Sequence, residues 1–354
     1  MPELPIAPAA YDKPPELYAG LRLHQNEHTG GCSPRVLEAL ARLKAEQISV
    51  YPPYSETVAA CAADLRLTDD QVVLVNGMDE GILALAVACL RRAPDGTPAE
   101  VIIPQPAFEV FEVNAGLMEA RVIAVAPRTD FSFALDEVLA AIGPHTRLVI
   151  LTNPNNPTGV PIPLAAIQAV ARTVPPGAVV LVDEAYVHFG GETFIPELAA
   201  HPNVVVGRTF SKAYGLAGLR IGLLAGHPAT LAPIRGVVPV YSINVAAAVA
   251  AIAALEDRAY TLDYLRQVTE SKALLYAACE RWGLHYWPSA ANFVLVRTGP
   301  HTERVLDGAL ARGIYLRDRS TEPGCAGCIR VTTGVIEDTR RAIAAIEEVL
   351  CDAR

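Results

Sequence analysis

Seven short apolar runs constrain the fold more than any other feature of the chain. They are Val72–Val75, Val101–Ile103, Val122–Val125, Leu148–Leu151, Val179–Val182, Val204–Val206 and Ile221–Leu224. No charged or amide side chain breaks any of them. A strand with one wet face alternates polar and apolar residues, so unbroken runs belong to a sheet covered on both sides. Most are separated by enough chain for a helical crossover, which predicts an α/β fold around a mostly parallel sheet.

At 354 residues the chain exceeds one ordinary core, so two domains are expected. A Pro-rich N-terminal segment, 1–44, reads as helical at Arg35–Leu43. A large domain spans 45–244. Near Asn244 the character changes to a long helical pattern, "AAAVAAIAALEDRAYTLDYLRQVTESKALLYAACERWG". Strand-like runs follow at Phe293–Val296, Ile314–Leu316 and Ile329–Thr332, then a final helix from about Glu337. Residues 245–354 therefore read as a smaller α+β domain.

Several classes of function are excluded. The net charge is −9, whereas nucleic-acid binding needs clustered Lys and Arg, so no nucleic-acid partner is expected. The N-terminus shows no basic stretch leading into an apolar one. No apolar run reaches the length of a membrane span, so no membrane partner is expected. Seven scattered cysteines, an odd number, suit a reduced cytoplasm. Cys325 and Cys328 form a single CxxC. It lacks the second pair or histidines that a zinc site requires, so no metal is expected.

Ligands of α/β sheets bind beyond the carboxyl ends of the strands. After Val75 comes "NGMDEG", where Gly77, Met78 and Asp79 open a helix and backbone N–H groups favour an anion. After Leu151 comes "TNPNNPTG", a proline-fixed turn that aims amides, Asn156 among them. After Val182 comes "DEAY". Asp183 there is a carboxylate that is costly to bury without a cation. After Val206 comes "GRTFSKAYGLAGLR", which carries Lys212 and Arg220. Each stretch has an ordinary reading: a helix start, a rigid turn, an ion pair with a local arginine, a solvated lysine. Together they match the needs of pyridoxal 5'-phosphate, which offers a phosphate, a pyridine nitrogen, a phenolic oxygen and an aldehyde.

The motifs "NPNNPTG", "DEAY" and "SKAYGLAGLRIG", in that order, resemble the fold-type I pyridoxal-phosphate aminotransferases. Within them the chain is similar to the histidinol-phosphate aminotransferase-like subgroup, from about Leu23 to the C-terminus. The resemblance implies a large domain with a mostly parallel seven-stranded sheet and a smaller α+β domain. It implies that Lys212 forms the Schiff base with the cofactor and later moves the substrate's Cα proton. By the same resemblance Asp183 faces the pyridine nitrogen, and Asn156 and Tyr186 reach the phenolic oxygen. Thr209, Arg220 and the Gly77–Met78 backbone, beside Asp79, hold the phosphate, and Phe108 stacks on the ring. Tyr51 matches a tyrosine that reaches the phosphate from a partner subunit, implying a homodimer. Asn26, Asn156, Arg317 and Arg330 line the substrate pocket, to which the N-terminal segment contributes.

The departures fall mostly near the substrate. The subgroup's Asn-Glu-Asn-Pro is Asn26-Glu27-His28-Thr29 here. Met78 replaces a usual Ser or Ala, and Phe108 lacks a usual hydroxyl. The expected reaction passes an amino group from histidinol phosphate to 2-oxoglutarate, giving imidazole acetol phosphate and glutamate. An aromatic amino-acid aminotransferase and a lyase similar to threonine-phosphate decarboxylase are the alternatives.

Overall fold

A computed structural model describes residues 19–351. The strands in chain order are β1 (Leu21–Arg22), β2 (Val72–Val75), β3 (Glu100–Pro104), β4 (Arg121–Val125), β5 (Thr146–Thr152), β6 (Val179–Asp183) and β7 (Val204–Thr209). They continue with β8 (Gly222–Gly226), β9 (His285–Tyr286), β10 (Phe293–Arg297), β11 (Ile314–Tyr315), β12 (Arg317–Asp318) and β13 (Cys328–Thr332). The seven expected runs form one sheet, ordered β2-β8-β7-β6-β5-β3-β4. All neighbours in it are parallel except those of β8, which runs antiparallel to both β2 and β7.

The reversal of β8 has a local cause. The connection from Thr209 to Gly222 holds a 3₁₀ turn, Ala217–Leu219, and no α-helix. A parallel return needs a longer crossover, so the chain turns straight back. As a result the amino end of β8 lies at the same edge as the carboxyl ends of the parallel strands.

Both faces of this sheet are buried along the expected runs except in the edge strand β4, where Ala124 is exposed and Val122 and Ile123 are half-buried. Successive side chains of β2 alternate between two cores: Val72 and Leu74 join one, Val73 and Val75 the other. On the first face lie Ile167 and Val170 of the helix Leu164–Thr173, and the alanines of the helix Val245–Glu256. Asn244 caps that last helix, its side chain accepting from Ala247 N at 2.8 Å. The second face is covered by Ile82 and Leu85 of the helix Gly77–Cys89 and by Phe111.

A second, antiparallel sheet has the order β12-β13-β10-β9. Val294, Val296, Ile329 and Val331 of this sheet share a core with Leu275 of the helix Arg258–Trp282 and Ile346 of the helix Ile336–Cys351. The expected run Ile314–Leu316 divides here. Ile314 and Tyr315 leave to pair in parallel with β1, while Arg317 and Asp318 pair with β13. The early helix spans Pro34–Ala41. Proline stands at its first position and Ser33 caps it, accepting from Arg35 N. Among the described residues no helix is long and apolar enough to cross a membrane.

Candidate active site

A cavity of about 360 Å³ opens at the edge where β5, β6 and β7 end and β8 begins. Lys212 stands in the turn after β7, half-buried, and its Nζ donates to the carbonyl of Gln25 at 2.9 Å. The lysine amine is thus held by a backbone oxygen from the N-terminal segment rather than by a carboxylate.

Asp183 ends β6, in register with Thr152 of β5 and Gly207 of β7. It is 5% exposed and accepts from Ala185 N at 3.0 Å. The ordinary reading, an ion pair with a local arginine, belongs instead to its neighbour: Arg208 Nε lies 2.8 Å from Glu184. Burial pushes the Asp183 carboxyl up to about 6. A buried carboxylate with no ion-pair partner among the described residues suits a protonated ring nitrogen.

At one end of the cavity stand Gly77, Met78, Asp79, Thr209 and Arg220. Gly77 opens its helix at φ +74°, and a Cβ there would stand 2.5 Å from Arg220 Nη2. Glycine is therefore needed both for the backbone and for the close passage of the guanidinium. Arg220 pairs with Asp79 at 2.7 Å. The helix N-terminus and the arginine together suit a phosphate.

The opposite wall comes from the second sheet and the N-terminal segment. Arg330 of β13 is 3% exposed. Its Nη1 donates to Asn156 Oδ1 at 2.5 Å and its Nη2 to the His24 carbonyl at 2.7 Å. A guanidinium only donates, so the Asn156 oxygen is committed to Arg330 and its amide nitrogen remains for a ligand oxygen. Asn26 Nδ2 donates to the Tyr186 hydroxyl at 3.0 Å. Arg317 faces Arg330 across the β12–β13 ladder. Among the described residues neither Arg317 nor Arg330 has a carboxylate partner. Burial, and then Arg319, lower the Arg330 pKa to about 9. Arg319 itself is held by Glu322 and by Glu109, the latter at 3.6 Å. A buried cation without a counter-ion is costly, so this wall is built for a ligand's negative charge.

The cavity gathers most of the residues singled out from the sequence. Met78, Asp79, Phe108 and Asn156 line it, as do Asp183, Tyr186, Thr209 and Lys212. So do Arg220, Asn26, Arg317 and Arg330, while Gly77 lies directly behind Arg220. Tyr51 is not brought in: it is 73% exposed and stacks on Tyr241 at 4.0 Å. His24, Thr152, Ser211 and Arg319 also line the cavity without having been singled out. Two of them carried a usable signal, since His24 precedes Asn26 by two residues and Arg319 follows Arg317 by two.

The family model described as aminotransferase class I and II matches residues 19–346. The chain belongs to this family. The aminotransferase is 36% identical to the histidinol-phosphate aminotransferase of Symbiobacterium thermophilum over 93% of this chain and 90% of that one. It is 38% identical to histidinol-phosphate aminotransferase 2 of Ralstonia nicotianae over 83% of this chain and 79% of the relative. Among solved structures it is similar to the histidinol-phosphate aminotransferase of Sinorhizobium meliloti in complex with pyridoxal 5'-phosphate. The TM-score is 0.86 at 27% identity, over 95% of this chain and 92% of that one. The protein is an enzyme, a transaminase dependent on pyridoxal 5'-phosphate, and the cavity fits that cofactor. Asp183, the Gly77–Arg220 cradle and the Asn156 amide nitrogen suit a pyridine nitrogen, a phosphate and a phenolic oxygen.

Proposed function

We propose that this aminotransferase transfers the amino group of histidinol phosphate to 2-oxoglutarate. The observation that carries the reading is the pair Arg317 and Arg330, which line the cavity with no carboxylate partner among the described residues. A phosphate monoester supplies the two negative charges that two guanidiniums neutralise. The names of the Symbiobacterium and Ralstonia relatives support the same donor.

Pyridoxal 5'-phosphate, when bound, supplies an aldehyde and an electron-withdrawing ring that stabilises negative charge at the substrate's Cα. Arg220, Thr209 and the N–H groups at Gly77, Met78 and Asp79 hold its phosphate. Asp183 keeps the ring nitrogen protonated, and Phe108 covers the ring. Tyr186 and the Asn156 amide nitrogen donate to the ring's phenolic oxygen. Lys212 Nζ would hold the aldehyde carbon and, once freed from it, would carry the proton off the substrate's Cα. Arg330 and Arg317 place the donor, and Asn26 orients Tyr186. The working form is a cytoplasmic homodimer in which Tyr51 of the partner subunit reaches the phosphate end; its exposure and the stacked Tyr241 support that role.

The test follows the visible absorbance of the holoenzyme as donors are added singly. Histidinol phosphate should bleach the lysine-linked cofactor faster than phenylalanine or glutamate, and 2-oxoglutarate should restore the band. Bleaching led by phenylalanine would move the assignment to an aromatic donor. Release of carbon dioxide from threonine phosphate would replace transfer by decarboxylation.

A further inference from the structure

We infer that Thr332 is a positioning residue for Lys212. Its hydroxyl oxygen holds the Gln25–Asn26 peptide so that the Gln25 carbonyl faces the lysine amine. The inference deepens the proposed function, since it rests on Lys212 as the carrier of the substrate's Cα proton.

From Leu23 to Asn26 each backbone carbonyl accepts from a group distant in sequence. Leu23 O accepts from Thr332 N at 3.0 Å and from the Thr332 hydroxyl at 2.8 Å. His24 O accepts from Arg330, and Asn26 O from Asn292 Nδ2 at 3.1 Å. Gln25 O accepts from Lys212 Nζ at 2.9 Å. The Gln25–Asn26 peptide is held at its other side as well, because Asn26 N donates to Thr332 Oγ1 at 3.1 Å. A trans peptide is planar, with its N–H and C=O pointing in opposite directions. Fixing the N–H on Thr332 therefore aims the carbonyl away from Thr332 and at Lys212. Asn26 stands here at φ +55°, a left-handed backbone that asparagine tolerates better than most side chains. The Thr332 hydroxyl meets Asn26 a second time, with Oγ1 3.2 Å from Asn26 Oδ1. Thr332 ends β13, fully buried and in register with Phe293 of β10, so the smaller sheet fixes where its hydroxyl stands.

The arrangement matters once Nζ is a free amine. A carbonyl oxygen only accepts and carries no charge, so Gln25 O orients Nζ without competing for the proton that the amine is to take. In the transfer Nζ gains the proton that Cα gives up, and the electron pair stays with the substrate. A reacting group displaced by about 1 Å forfeits much of the rate that good placement supplies. Thr332 is not part of the cavity wall. It acts on Lys212 through one rigid peptide.

The experiment compares the wild type with Thr332→Val, Thr332→Ser and Thr333→Val. Valine keeps the shape of threonine and removes the hydroxyl. Thr333 is also fully buried, and its hydroxyl has no hydrogen-bond partner among the described residues, so the same exchange there is the control. Thr332→Ala repeats the loss of the hydroxyl should valine unfold the protein. In the cofactor-free protein, acetic anhydride should acetylate Lys212 roughly fivefold faster in Thr332→Val, the scale of one hydrogen bond released. Peptide mass spectrometry reads that rate. With cofactor restored, kcat for glutamate should fall by about tenfold or more in Thr332→Val, with KM and cofactor affinity little changed. The isotope effect of deuterium at the Cα of glutamate should rise, because proton transfer then limits turnover. Thr332→Ser should recover most of both changes, and Thr333→Val should match the wild type. Unchanged acetylation and an unchanged isotope effect in Thr332→Val would reduce Thr332 to packing, as would a serine variant no better than the valine one. Exchange of the Cα deuterium with water that persists at the wild-type rate in Lys212→Ala would remove the proton-carrying role of Lys212. Acetylation would then still decide Thr332: faster in Thr332→Val keeps its hold on the lysine, and unchanged ends it.

Discussion

Replacing Asp183 by Asn should stabilise the protein freed of its cofactor while crippling the enzyme. The carboxyl is fully buried, and its pKa rises from the ordinary 3.8 to about 6 because burial disfavours the charge. The sign follows from which state holds the proton more tightly. The folded state does, so the cost is absent below about pH 3.8, grows as the pH rises and is complete above about pH 6. A rise of about two units corresponds to ~3 kcal/mol at pH 8 and ~1 kcal/mol at pH 4.5. Asparagine keeps the shape and can still accept from Ala185 N, so it removes the cost and leaves the bond. Urea unfolding of both cofactor-free proteins at the two pH values measures the difference. The variant should be the more stable by ~3 kcal/mol at the higher pH and by ~1 kcal/mol at the lower. Turnover with cofactor restored should fall by roughly a hundredfold or more, since an amide does not hold a proton on the ring nitrogen. An unchanged urea midpoint at pH 8, or an advantage independent of pH, would refute the argument that Asp183 is stored as an unmet charge.

Two other perturbations follow from the same geometry. Gly77→Ala forces a side chain into φ +74° and within 2.5 Å of Arg220 Nη2, so cofactor affinity measured by titration should weaken about tenfold or more. Lys272 is a buried ammonium that donates to Phe189 O at 3.1 Å and Ser289 O at 2.8 Å, and burial lowers its pKa from 10.5 to about 8. The unfolded chain binds that proton more tightly, so stability should rise between about pH 7 and pH 10. Relative to Lys272→Met, the wild type should gain on the order of 2 kcal/mol across that window in urea unfolding.

The large sheet was legible because every one of its strands contains an apolar run without a charged or amide side chain, the pattern of strands covered on both faces. The direction of β8 was not, since an apolar run records where a strand lies and not which way it points. That direction brings Arg220 beside Lys212 and Gly77. β1, β9 and β12 have two residues each, too few to show any period. Lys212, Asp183 and Asn156 were legible because each follows a strand of the sheet within a few residues. The Asn156–Arg330 bond and the His24 carbonyl that Arg330 holds were not, because they join residues 174 and 306 positions apart. Nothing local announces such pairings. The local arginine that the ordinary reading of Asp183 calls for is present as Arg208, yet it pairs with Glu184. Strand alternation explains this, since neighbouring carboxylates leave opposite sides of the backbone.

The strip from Leu21 to Glu27 has a consequence for the order in which the protein is made. Leu23 N bonds to Tyr315 O, Thr332 N bonds to Leu23 O, and Gln25 O receives the Lys212 amine. One side of the catalytic chamber therefore comes from nearly the first described residues, fastened to nearly the last. A ribosome that has released the seven strands of the large sheet has not yet released the tie points at Tyr315, Arg330 and Thr332. The growing chain at that stage has Lys212 but no closed chamber around it. Loop-closure entropy over some three hundred residues is met only when synthesis is almost finished. Closure of the cavity is thus a late event in the life of the nascent chain, and a C-terminally truncated product would carry Lys212 without the Arg330 wall opposite it.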